Sequence, residues 1–93
     1  MTNIQQNANS KQDAFIEDEI LECIWVTAEE HGSTKTESLY EKFDKETVGV
    51  LLSEMVEEKL ISIHDSVVLL TETGQKKAIP IIRRHRLAER LLN

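Results

Sequence analysis

The chain has 93 residues, the size of one small domain. Its apolar fraction of 40% and charged fraction of 30% are those of an ordinary globular protein. The single cysteine, Cys23, excludes an intramolecular disulfide and a zinc site made of cysteines alone. No apolar run approaches the roughly 18 residues of a membrane-spanning helix. No basic and then apolar leader opens the chain, so we expect a cytoplasmic protein without a membrane partner.

Charge is unevenly distributed along the chain. Residues 1–74 carry 5 Lys/Arg against 16 Asp/Glu, a net of −11, whereas residues 75–93 carry 6 against 1, a net of +5. This asymmetry indicates either that the two parts attract each other or that each binds its own partner. A solvated acidic face beside a solvated basic face is the simpler alternative.

The chain opens with a polar segment and then becomes periodic. Residues 1–12 are rich in Asn and Gln without apolar periodicity, which predicts a disordered tail. From Asp13 the spacing of apolar residues predicts an amphipathic helix that ends at His31, where Gly32 can adopt a left-handed conformation. The apolar stripe consists of Phe15, Ile16, Ile20, Leu21, Ile24, Trp25 and Ala28.

Two further helices are predicted close together. Residues 36–43 form a short helix, and residues 45–58 form a longer one for which Asp44 is a suitable N-cap. The connection of a residue or two between them is typical of a helix-turn-helix.

The apolar period changes after the third helix. Residues 60–63 and 67–70 are short aliphatic runs around His64-Asp65-Ser66, which predicts a β-hairpin. Thr71 can cap a last helix, in which Pro80 is expected to cause a kink or a displaced start. The predicted fold is mainly α with a small β-hairpin. It is a winged helix-turn-helix over residues 13–74, followed by a long C-terminal helix over residues 75–93.

The C-terminal part carries a more specific pattern. The segment Leu70-Thr71-Glu72-Thr73-Gly74, followed by HRLAERLL over residues 85–92, resembles the iron- and manganese-dependent repressors. These are the diphtheria-toxin-repressor and manganese-transport-regulator group. In that group an LTxxG turn leads into a helix carrying HRLxERLL. The resemblance covers about 75 residues and implies a winged-helix transcriptional regulator that needs Fe²⁺ or Mn²⁺ to bind DNA as a dimer.

The last helix carries two candidate metal ligands. His85 and Glu89 are four residues apart and so share one helix face. An imidazole and a carboxylate at this spacing suit Mn²⁺ or Fe²⁺, although a His–Glu hydrogen bond without metal is the alternative. By resemblance, Glu19 and Glu22 in the first helix match the acidic ligands of the manganese-type site, together with His85, and Glu89 matches an iron-type ligand. The alternative for Glu19 and Glu22 is an acidic first turn that favours the helix N-terminus.

The third helix is the recognition helix implied by the resemblance. Residues 44–59 contain 2 Lys against 5 Asp/Glu, a net of −3. DNA binding depends on neutralising phosphates, so an acidic recognition helix disfavours it. Lys45 and Thr47 are the plausible contacts on this helix, and Lys76 and Lys77 could reach phosphates from the last helix.

Two functions from different classes remain open. The first is a metal-dependent DNA-binding regulator, or its DNA-binding domain, expected to be a homodimer. The chain stops within the HRLAERLL helix, so the metal site and the dimerisation region are expected to be truncated. The second is a winged-helix module for protein–protein interaction that has lost sequence-specific DNA binding. An enzyme is not expected, because no nucleophile–base set or Gly-rich phosphate loop is identifiable.

Overall fold

The computed structural model describes the backbone of residues 2–92 and the side chains of residues 14–87. It is mainly helical with a small antiparallel sheet, so the prediction of a mainly α fold with a small β element is confirmed. In chain order the elements are α1 (Thr2–His31), β1 (Thr34–Lys35), α2 (Thr36–Lys42), α3 (Lys45–Glu57), β2 (Ile61–His64), β3 (Val67–Leu70) and α4 (Glu72–Leu92).

The helix α1 begins well before the predicted position. Its backbone is helical from Thr2, whereas the apolar spacing predicts a start at Asp13. Residues 2–12 contain no Gly or Pro and include Ala, Gln and Lys, which favour helix, so nothing local breaks it. Disorder of residues 1–12 in solution stays a prediction. The end is as predicted: Gly32 has a φ of +87°, and its N–H donates to the Ala28 carbonyl at 2.8 Å.

The helices α2 and α3 meet at a tight corner. Asp44 caps α3, because its Oδ2 accepts hydrogen bonds from the Thr47 N–H at 3.1 Å and the Thr47 hydroxyl at 3.0 Å. At the other end, Lys59 lies in the left-handed region with a φ of 63°. Its N–H donates to the Val56 carbonyl and the next N–H, of Leu60, donates to Met55. This is the Schellman arrangement that ends a helix.

The predicted hairpin is present and gains a third strand. Strands β2 and β3 pair antiparallel from Ile61↔Leu70 to His64↔Val67. Asp65 and Ser66 both have positive φ, which is the two-residue turn that matches strand twist. The short strand β1 pairs with the other edge of β3, giving the order β1-β3-β2. The sequence does not reveal β1, because a strand of two residues has no measurable periodicity.

The LTxxG segment has a structural explanation in the turn before α4. Thr71 Oγ1 accepts from the Gly74 N–H at 3.0 Å, so Thr71 caps the helix as predicted. The hydroxyl also lies 3.0 Å from the Leu60 carbonyl, which accepts from the Thr71 N–H as well. Gly74 packs so closely that a Cβ there would lie 2.0 Å from the Leu60 oxygen. The helix continues from Glu72 through Pro80, so its start is not displaced.

One core joins every helix to the sheet. It is formed by Ile20, Leu21, Cys23, Ile24, Leu39, Val48, Leu51, Leu52, Met55, Leu60, Ile61, Val68, Ala78, Ile81 and Ile82. Most of these core residues follow the apolar spacing of their helices and strands. Three other apolar residues in the helices lie outside the core and are exposed, namely Phe15 at 66%, Val56 at 42% and Leu87 at 58%. Among the described residues, no helix combines the length and hydropathy that crossing a bilayer requires.

Candidate functional site

The candidate site lies where α1 crosses α4, and three charge pairs join the two helices there. Each pair has its acidic member on α1 and its basic member on α4. They are Glu17–Lys77, Glu22–His85 and Glu29–Arg86. For these residues the structure shows attraction between the two parts, which is one of the alternatives that the uneven charge left open.

The innermost pair is Glu17–Lys77. Glu17 is buried, and its Oε1 accepts from Lys77 Nζ at 2.8 Å. The hydrogen bond to Glu17 raises the pKa of Lys77 above its usual 10.5, and burial of the ammonium opposes this rise. Lys77 therefore satisfies a carboxylate that would otherwise be buried without a partner.

The second pair brings together two of the predicted metal ligands. His85 Nδ1 contacts Glu22 Oε2, although the residues are 63 positions apart in the chain. The Glu22 side chain is 22% exposed and that of His85 is 49% exposed, so the pair lies at the surface of the α1–α4 junction. Imidazole and carboxylate meet here at hydrogen-bonding range.

Glu19 lies beside this pair. It lines a cleft of about 280 Å³ between α1 and α4 together with His85. It also lines a second pocket, of about 330 Å³, together with Glu22. In the structure α1 begins at Thr2 and its first turn has no acidic residue, so Glu19 and Glu22 lie well inside the helix. The fourth predicted ligand, Glu89, falls outside the side chains that the structure describes.

The donor set can be compared with what a metal needs. Two carboxylates and an imidazole are the oxygen and nitrogen donors that suit Mn²⁺ or Fe²⁺. Within residues 14–87, however, no three His, Cys, Asp or Glu side chains already converge on one point. The donor types fit the metal and Glu22 contacts His85, but among the described residues these side chains do not form a three-ligand group.

Cys23 stands apart from this set. It is buried at 9% exposure, and its Sγ lies 3.8 Å from Thr27 Oγ1. This burial is typical of a cysteine that packs as a small apolar residue.

The two DNA contacts predicted on α3, Lys45 and Thr47, each interact with another side chain of this chain. Lys45 is exposed, with its Nζ 5.8 Å from the centroid of the Tyr40 ring. The Thr47 hydroxyl donates to Asp44 within the helix cap. Glu46, Val50 and Glu54 are exposed along the same helix. The exposed surface of α3 is therefore mainly acidic, with the apolar residues Val50 and Val56.

The two predicted contacts on α4 differ from each other. Lys76 is 76% exposed and lies 3.7 Å from Glu72 one turn earlier, a surface pair that leaves its ammonium accessible. Lys77 is held by Glu17, so a phosphate would have to compete with a buried carboxylate. Phosphate binding by either lysine stays a prediction.

Sequence reasoning missed two members of the α1–α4 contact, Glu17 and Glu29. Arg86 Nη2 donates to Glu29 Oε1 at 2.6 Å, and Glu17 is the most deeply buried carboxylate of the described side chains. The available signal was the spacing of acidic residues along the apolar stripe of α1. That spacing places Glu17 next to half-buried Ile16 and to buried Ile20 and Leu21, not on the far side of the helix.

Comparison with protein families, with characterised proteins and with solved structures finds no match for this chain.

Proposed function

We propose that this chain is a winged helix-turn-helix unit of a metal-dependent transcriptional regulator, in which Mn²⁺ or Fe²⁺ bound between α1 and α4 controls DNA binding. In this proposal α2 and α3 form the helix-turn-helix, the β2–β3 hairpin is the wing, and α3 is the helix presented to DNA. The proposal rests on the LTxxG and HRLAERLL segments and on the arrangement of the α1–α4 junction.

The observation that carries the proposal is the contact between Glu22 and His85. The resemblance selects these two residues as ligands of one metal, and they are far apart in sequence. Their side chains meet at the surface, with the third selected residue, Glu19, lining the adjoining cleft. Glu22 and His85 lie 63 positions apart in the chain, so their contact depends on how α1 and α4 cross.

In a metal-bound form, Glu19, Glu22 and His85 would hold the ion, which would supply a positive charge that ties two carboxylates to one imidazole. His85 would bind as the neutral imidazole, so it would lose any proton shared with Glu22. The consequence for DNA follows from linkage. Metal favours the binding-competent arrangement only to the extent that it binds that arrangement more tightly.

Contacts to DNA would come from the N-terminal end of α3 and from α4. Lys45 and Lys76 are exposed cations, and Thr47 sits in the first turn of α3. Glu46 and Glu54 lie on the outer surface of the same helix and would repel phosphates. We therefore expect weak DNA binding that falls steeply with salt.

The test is fluorescence anisotropy of a labelled duplex titrated with the chain at low salt. It is run with Mn²⁺, with Fe²⁺ under anaerobic conditions and with chelator. We expect binding that requires metal and that Glu22→Gln or His85→Ala abolishes. His31→Ala, which alters an exposed histidine whose Nε2 lies 3.8 Å from its neighbour Glu30, is the matched control. Equal binding with metal and with chelator would refute the metal dependence.

The acidic surface of α3 favours a second candidate function, docking of a basic protein. Glu46, Val50, Glu54 and Glu57 recur at spacings of three and four and are exposed, which is the pattern of a stripe along one side of the helix. A basic amphipathic peptide helix is the probe. We expect it to bind in chelator and to lose affinity when Glu54 and Glu57 become Gln. Peptide binding, together with no change in the anisotropy of the labelled duplex, would favour this function over the first.

A further inference from the structure

We propose that the cavity between α1, β3 and the start of α4 is a binding site for a small apolar molecule that carries a primary amide. The cavity has a volume of about 380 Å³. Glu19, Glu22 and His85 do not line it. This inference goes beyond the proposed function, because it requires neither metal nor DNA.

Most of the side chains that line the cavity are apolar and come from two elements. They are Ile24, Trp25 and Ala28 of α1 and Val68, Leu69 and Leu70 of β3. Leu69 is 49% exposed, so an apolar ligand would cover part of a large side chain that faces water. This volume and this kind of lining are typical of small-molecule sites.

One polar atom of the lining residues has no partner among the described residues. The Nε1–H of Trp25 is buried from water, and no described side chain or carbonyl accepts a hydrogen bond from it. Buried indole N–H groups usually have an acceptor, because an unpaired one destabilises the folded state. Since Trp25 lines the cavity, an acceptor atom bound beside its ring would satisfy this N–H.

The carboxylate of Glu29 selects the rest of the ligand. It is the one ionisable group among the described residues that line the cavity, and its Oε1 accepts from Arg86 Nη2 at 2.6 Å. Its Oε2 can accept from a ligand N–H, whereas the carboxylate would repel a ligand anion. Trp25 and Glu29 are four residues apart and so share one face of α1. A primary amide carries an acceptor oxygen and a donor N–H on one carbon, so it can contact both residues.

The first experiment titrates the uniformly isotope-labelled chain with para-tert-butylbenzamide in chelator and records two-dimensional proton–nitrogen NMR spectra. The chain has one tryptophan, so one indole N–H signal reports directly on Nε1. We expect its proton shift to move downfield as the hydrogen bond forms. The expected dissociation constant is about 1 mM for a ligand of about 13 non-hydrogen atoms. An indole signal that does not move would overturn the proposal.

A related compound tests the choice of the amide. The anion para-tert-butylbenzoate keeps the apolar group and the acceptor, but it cannot donate to Glu29 and is repelled by it. We expect the benzoate to bind at least about fivefold more weakly than the amide. Equal affinity of the two compounds for the wild-type chain would show that Glu29 does not select the ligand, and the amide assignment would be wrong.

Three variants locate the bound amide, with circular dichroism to check that each is folded. Trp25→Phe keeps an aromatic ring without the N–H, and the backbone signals of β3 should show binding weakened about threefold to tenfold. Ala28→Phe should fill the cavity and abolish binding. Val50→Phe adds the same side chain at an exposed position of α3 and should leave binding unchanged. Unchanged affinity in folded Trp25→Phe or in folded Ala28→Phe would place the amide elsewhere and overturn the proposal.

Discussion

At the scale of single residues, the most consequential side chain is Glu17. It is buried in the α1–α4 contact, and its side chain is only 11% exposed, whereas its partner Lys77 is 45% exposed. An ionised carboxylate in that position destabilises the folded state unless an ammonium hydrogen-bonds to it. Lys77 therefore contributes mainly by preventing that destabilisation. Residue type alone does not reveal this, because Glu17 is one of several acidic residues in α1 and Lys77 is adjacent to the similar Lys76.

Replacing Lys77 tests this dependence. Lys77→Met should lower the free energy of unfolding by about 1 kcal/mol at neutral pH, a value reduced for the partial exposure of the pair. Lys76→Met should change it little, since that lysine forms a surface pair with Glu72. Urea denaturation of both variants measures the difference. Equal stability of Lys77→Met and the wild type would show that Glu17 is solvated or protonated without its partner.

The same pair predicts a pH dependence. The pKa of Lys77 is raised above 10.5 in the folded chain. A raised pKa means that the folded state binds the proton more tightly than the unfolded state does. The stabilisation is therefore complete below pH 10.5 and is lost as the pH rises through the folded pKa. The difference in the free energy of unfolding between the wild type and Lys77→Met should disappear in that alkaline range. Denaturation at a series of pH values would measure it.

At the scale of elements, the turn from β3 into α4 decides how the last helix is positioned. Thr71 caps the helix and contacts the Leu60 carbonyl, while Gly74 lets the first turn of α4 approach that carbonyl closely. The periodicity of the sequence predicted the helix and its cap correctly. It did not predict why Gly74 is glycine, because the neighbouring atom belongs to Leu60, which lies between α3 and β2 and is 14 positions earlier in the sequence.

Two alanine substitutions separate packing from helix propensity. Gly74→Ala should destabilise the fold by about 2–3 kcal/mol, despite better helix propensity, because its Cβ would overlap the Leu60 backbone. Gly49→Ala should stabilise it by about 0.5–1 kcal/mol, since the added Cβ on α3 meets nothing within 4 Å. Thermal denaturation of both variants gives the signs. A stabilising Gly74→Ala would mean that the turn relaxes away from Leu60.

At the scale of the whole molecule, α1 and α4 are the two longest elements, and they pack against each other. Their charge pairs bring the acidic first part of the chain against its basic last part. The net charges of the two parts predicted this attraction. They did not predict which residues pair, since that depends on the angle and register at which the helices cross.

Metal binding at this junction should stabilise the whole fold, because a ligand that binds only the folded chain shifts the unfolding equilibrium. Mn²⁺ at a hundredfold excess over its dissociation constant should raise the melting temperature by about 10 °C. Glu22→Gln and His85→Ala should remove most of this shift, and His31→Ala should retain it. Differential scanning fluorimetry measures it without DNA. An identical shift in all variants would place the metal elsewhere on the chain.

The sequence by itself determined the local elements of this protein. The spacing of apolar residues specified α1 from Asp13 onwards, α2, α3 and the hairpin, and Thr71 marked the start of α4. These features depend on the periods of helix and strand and on caps, which are properties of neighbouring residues. Only the tertiary structure decided that Glu17 is buried, that Glu22 meets His85 and that Phe15 remains exposed beside a charged cleft. Those outcomes depend on how two helix faces pack when the contacting residues are 60 and 63 positions apart in the chain, which no local pattern encodes.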